Sequence, residues 1–160
     1  MMNKLLRAIC LSLIACSVLA AQDIYVPPLR RLRNDYRQVS IVAHVRALGT
    51  KYMDEIGSHV LYEVRCQIVE PFKGRIKRGQ SFVYYEDMQK GYDPQLYLGD
   101  RVVFLVGSIN GLTKRWGWFT LENSTQLYSA KTAGGLRRIK SSADRNRKPL
   151  RPRGRAGDML

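Results

Sequence analysis

Between residues 39 and 121 the apolar side chains recur at every second position rather than with a helical period. From Val39 to Ala47, the residues Ile41, Ala43, Val45 and Ala47 fall on one face, with Ser40, His44 and Arg46 on the other. Such alternation predicts a half-buried strand. Val60 to Glu70 repeats it, setting Val60, Tyr62, Val64, Cys66 and Ile68 against Glu63, Arg65 and Gln67, so Cys66 is expected to point inward. Ser81 to Glu86 and Arg101 to Val106 are rich in the β-branched and aromatic residues that strands favour. Asn110-Gly111 then reads as a tight hairpin turn leading into a fifth run from Arg115 to Leu121.

Turn signals separate these runs. Gly49 and Gly57 flank the first loop, Phe72-Lys73-Gly74 and Gly79 follow the second strand, and Gly91-Tyr92-Asp93-Pro94 and Gly99-Asp100 precede the fourth. The fold expected is all-β: a small five-stranded Greek-key barrel of the OB type over residues 39–129. Ahead of it, residues 21–38 carry Pro27-Pro28 and a basic cluster and are expected to run as an extended lead-in, with Asn34 to Gln38 open between turn and short helix. Behind it, residues 130–160 form a basic tail with little apolar periodicity, expected to be disordered when unbound.

The chain opens with a different pattern. Lys4 and Arg7 precede an apolar stretch from Ala8 to Ala15, and small residues follow at Ser17, Ala20 and Ala21, which is the form of a secretory signal over residues 1–20. The apolar stretch is shorter than the roughly 20 residues needed to span a bilayer, so no transmembrane span is expected in the mature chain. Val18 and Ala20 favour cleavage before Ala21. Leu13-Ile14-Ala15-Cys16 also has the form of a lipobox, and the alternative is a lipoprotein anchored through Cys16. Either route makes the protein extracytoplasmic, periplasmic or secreted. With Cys10 and Cys16 in the signal, Cys66 alone remains after cleavage, so the fold must rest on its hydrophobic core rather than on a disulfide framework.

Composition is ordinary for one globular domain, 45% hydrophobic and 25% charged, but the formal net charge of +14 is not. Much of the excess lies in the tail, at Arg137, Arg138, Lys140, Arg145, Arg147 and Lys148. Such a run attracts anionic lipid, nucleic acid or an acidic protein without specifying which.

Several strand sequences carry a family resemblance. Ser40-Ile41-Val42-Ala43-His44-Val45, the run from Tyr62-Glu63-Val64 through Glu70-Pro71-Phe72-Lys73-Gly74, and Leu98-Gly99-Asp100-Arg101 before Val102-Val103-Phe104-Leu105 resemble bacterial relatives of the tissue inhibitor of metalloproteinases (netrin-like) OB-fold domain. The resemblance covers roughly Tyr36 to Tyr128 and implies the barrel and a protein-binding platform. It does not carry over zinc-chelating inhibition, which in the animal inhibitors uses a disulfide-bonded cysteine at the mature N-terminus; Ala21 and Gln22 stand there instead.

Chemistry is sparse. His44 and His59 lie at no metal-ligand spacing, Cys66 sits on an apolar face, and Glu86-Asp87 and Asp54-Glu55 read as solvated carboxylates at loop ends. No catalytic activity, cofactor or metal is therefore expected. Tyr84, Tyr85, Tyr92, Trp116 and Trp118 are candidate contact aromatics, with Tyr84 and Tyr85 on opposite faces. Lys114, Arg115, Trp116 and Trp118 are the expected partner-binding residues. The reading is an exported, non-catalytic binding module for an envelope protein, with anionic polymers or lipid as the alternative ligands; nucleic acid is the less favoured partner.

Overall fold

The computed structural model describes residues 25–109, 114, 116–121 and 124–147. Six strands and two helices occur in the order α1 (Leu29–Gln38), β1 (Ile41–Ile56), β2 (His59–Lys73), β3 (Ser81–Gln89), β4 (Gly99–Ile109), β5 (Trp116–Thr120), β6 (Gln126–Leu127) and α2 (Ala130–Arg147), with a 3-10 turn at Pro94–Tyr97. The described residues are thus mostly β with two helices. The expected signal segment, Cys16, the Asn110-Gly111 turn, Arg115 and Lys148 lie outside the described residues.

The sheet order is β1-β2-β3-β5-β4-β6, and β1 also pairs with β4, so five strands close into a ring. A single strand serves two partners because β1 is long and irregular. Its first part, Ile41 to Ala47, pairs with both β2 and β4, and the remainder continues with β2 alone to the Ile56↔His59 pair. Register shifts after Val42, His44, Ala47 and Tyr52 bend it, as bulges do. Gly49, expected to flank a loop, lies inside β1 at one of these irregularities, and Asp54 and Glu55 are strand residues, not loop ends; Gly57 makes the turn with φ +59°. The ring closes between β3 and β5 through one parallel pair, Tyr85↔Phe119.

Two apolar layers result. Inside the ring, Ile41, Ala43, Val45 and Ala47 pack with Val64, Cys66, Ile68, Tyr84, Val103 and Leu105, the alternation read from the sequence. Cys66 is buried there as expected, and burial pushes its thiol up to about 12. The opposite face of β1 is buried too. Val42, with Phe72, Val102 and Phe104, meets Leu32 and Tyr36 of α1 and Ala133, Leu136 and Ile139 of α2.

Both helices correct expectations. The extended lead-in is helical from Leu29, because Leu32 and Tyr36 share one helical face that the sheet buries, and Pro28 is suited to a helix start. Tyr36 Oη donates to the Phe72 carbonyl at 3.0 Å, and Lys73 Nζ donates back to the Tyr36 and Val39 carbonyls at 2.6 and 2.5 Å. The tail expected to be disordered is a helix as far as Arg147. Ser129 caps it by accepting from the Thr132 amide at 3.0 Å, and Ala133, Leu136 and Ile139 bury a narrow stripe. Gly135 permits the helices to close, since a Cβ there would stand 3.2 Å from Leu32 Cδ1.

Candidate functional site

The β4–β5 hairpin brings together part of the expected binding set. Its pairs are Leu105↔Thr120, Gly107↔Trp118 and Ile109↔Trp116, and paired residues share a face. Leu105 belongs to the ring interior, so both tryptophans follow on the inner side as the hairpin runs past the core. Trp118 is half-buried against that core, with Phe82 at 6.3 Å between centroids. Trp116 stands edge-on to Trp118 at 4.8 Å and is 60% exposed, with Ile109 exposed opposite it. Gly107 leaves room for the pair, because a Cβ there would approach Trp116 to 2.9 Å. Lys114 is exposed at the same end, with φ +55°.

Tyr84 and Tyr85 do point to opposite faces. Tyr84 is wholly buried, whereas Tyr85 is half-buried outside the ring, stacked on Phe119 at 5.1 Å and covering Gly117.

The expected tail cations divide. Arg137 makes a two-pronged ion pair with Glu70, at 2.8 and 2.6 Å, which holds the Glu70 carboxyl below its usual range. Lys140 donates to the Pro71 carbonyl at 3.1 Å. Both therefore help fasten α2 to β2. Arg138 and Arg145 are exposed, and Arg147 ends the helix. Arg30, Arg33 and Arg37 of α1 are exposed as well, and α1 contacts α2, so the two helices carry their cations on one layer.

The far end of the ring holds a site the sequence reading missed. Beyond Tyr85↔Phe119, the edge of β3 from Glu86 to Gln89 meets no further strand among the described residues. A cavity of about 630 Å³ opens there, lined by His59, Glu86, Asp87, Tyr92, Tyr97, Thr120 and Thr125 among others. A second, of about 760 Å³, shares Tyr92, Tyr97 and Thr125 with it and adds Tyr25, Arg101 and Gln126.

Glu86 is not a solvated turn carboxylate: it is a β3 residue, 6% exposed, on the face that carries Tyr84 and Met88. Burial pushes its carboxyl up to about 7, against the pull of the Thr125 and Thr120 hydroxyls and of Arg101; Thr125 Oγ1 donates to it at 3.0 Å. Arg101, 8% exposed, donates to the Leu96 carbonyl and lies 5.3 Å from the Tyr97 ring centre. Its Nε, the Tyr84 hydroxyl and Gln126 Oε1 are buried without a hydrogen-bond partner among the described residues. At the rim, His59 Nδ1 and Asp87 Oδ1 lie 3.0 Å apart. The signal in the sequence was a charged residue in phase with an apolar strand face, at Glu86 with Tyr84 and at Arg101 with Val103. Among the described residues no three metal-ligating side chains converge.

No helix among the described residues is long and apolar enough to cross a membrane. The sequence matches no protein-family model and no curated protein.

Proposed function

We propose that the chain is an exported, non-catalytic OB-type binding module, related to the netrin-like domains, which holds a protein partner in the cell envelope through its β4–β5 end. The ring of five strands supports the OB reading, and OB barrels commonly bind through the loop joining their fourth and fifth strands. The observation that carries the proposal is Trp116: a large aromatic, 60% exposed, seated on a second tryptophan and flanked by Ile109 and Lys114. Exposed aromatics backed by rigid packing are the residues that dominate protein interfaces. A photo-crosslinking side chain at Lys114, in the exporting cell, is expected to yield one discrete protein adduct that Trp116→Ala abolishes. An adduct pattern indifferent to Trp116 sinks the reading.

The alternative, an anionic polymer as ligand, is favoured by the helical layer, where Arg30, Arg33 and Arg37 stand exposed with Arg138 and Arg145 on packed helices. It predicts binding of a single-stranded oligonucleotide at low salt that falls steeply as salt rises.

A further inference from the structure

The two adjoining cavities differ in charge. The first contains the carboxyls of Glu86 and Asp87 and, besides these, the imidazole of His59; the second contains Arg101 as its charged residue. No ion pair joins Glu86 to Arg101 among the described residues, so neither group satisfies the other directly. Among the described residues Arg101 Nε is a buried donor without an acceptor, and Glu86 is a buried carboxyl with hydroxyl partners but no cation bonded to it. Between the two lobes stands a shared wall of Tyr92 and Tyr97, edge to face at 6.1 Å, with Thr125. An unpaired buried donor and an under-compensated buried carboxyl are costly to keep. The cost at Glu86 falls if a molecule brings a cation to the first lobe, and an anionic group of the same molecule would meet Arg101 in the second.

We infer that this double cavity is a binding site for a small zwitterion, a free amino acid or short unblocked peptide, whose ammonium meets Glu86 and whose carboxylate meets the Arg101 guanidinium. The tyrosine wall takes the apolar body between the charged ends. Asp87 adds negative charge at the ammonium end. The site is separate from the tryptophan end of the ring and stands whether or not that end binds a protein.

The test is calorimetric titration of the full chain, recovered from an exporting host, with alanyl-phenylalanine, its N-acetyl derivative and its C-terminal amide. The free dipeptide is expected to bind, and either blocking group to weaken it by about tenfold or more. Tyr92→Ala, a change at an exposed ring, is expected to weaken the free dipeptide without unfolding the chain. In folded Glu86→Gln protein the preference for the free over the acetylated form should shrink, Asp87 keeping the remainder. Equal binding of blocked and free dipeptides by the unmodified chain overturns the inference, as does absence of binding by all three at about 1 mM.

Discussion

Glu86 shows how far one carboxyl departs from its neighbour on the same strand. Asp87 faces solvent, while Glu86, one residue earlier, lies under Thr125 with its carboxyl raised to about 7 from 4.5. Between those two values the folded state binds more protons than the unfolded chain, so this contribution to stability is complete below the unfolded value and is lost as pH rises through about 7. Urea midpoints are expected to fall over that window, and Glu86→Gln should flatten the fall and stabilise the protein at pH 8 by up to ~3 kcal/mol. Glu70 and Asp100 act in the opposite sense at lower pH. Arg137 lowers Glu70; at Asp100 burial opposes the hydrogen bonds from Arg46 and His44, which together prevail. Their share is present above the unfolded values and lost on acidification, and it is small because both groups are partly exposed. Cys66 supplies a second residue-scale prediction. With its thiol buried and raised to about 12, a thiol reagent should label it only as fast as the chain unfolds, and labelling of the native protein within the mixing time would contradict this. The inward course of Cys66 was legible because alternation alone decides it. The burial of Glu86 was not, since adjacent carboxyls read as solvated until Thr125 is seen to lie against the first of them.

Among the elements, the strands were legible and the helices were not. Period-two alternation located four strands to within a few residues of their ends, whereas β1 runs on to Ile56, well past Ala47, in a three-stranded arm with β2 and β3. Alternation understated β1 in a second way: Val42 and His44 are buried on the opposite face, Val42 by the helical layer and His44 under the Tyr128 ring, stacked at 3.9 Å. That layer was hidden by composition. In α2 the stripe Ala133, Leu136, Ile139 stands among arginines and is interrupted by Gly134-Gly135, and such a helix takes its stability from what it packs against rather than from its own propensity. Leu136→Ala is accordingly expected to cost ~3 kcal/mol in denaturant unfolding, the range for a fully buried leucine. A chain ending at Ser129 should be destabilised further and expose the Val42, Phe72, Phe104 face to hydrophobic dyes. A disordered tail would leave both measurements unchanged. Gly74 makes a smaller case, for it has φ +99° and a Cβ there would stand 3.0 Å from the Ser40 carbonyl, so Gly74→Ala is expected to destabilise by more than ~1 kcal/mol.

For the molecule as a whole, the +14 charge acquires a place as well as a size. Among the described residues, cations of α1 and α2 meet on one helical layer. If an oligonucleotide binds, neutralising Arg30, Arg33 and Arg37 should flatten its salt dependence about as much as neutralising Lys131, Arg138 and Arg145, as read by fluorescence anisotropy across a salt series. A tail acting alone would make the first set silent. The closure of the ring has its own consequence. Four of its joints are long antiparallel ladders, whereas β3 and β5 touch at Tyr85↔Phe119, reinforced by the stack of those two rings. Thermal fluctuation will part that seam first, turning the closed ring into an open sheet with two unsatisfied borders onto which another chain can add. The Tyr85–Phe119 clasp is then a guard against self-association, and loosening it should shorten the protein's shelf life in solution well before it lowers the melting temperature.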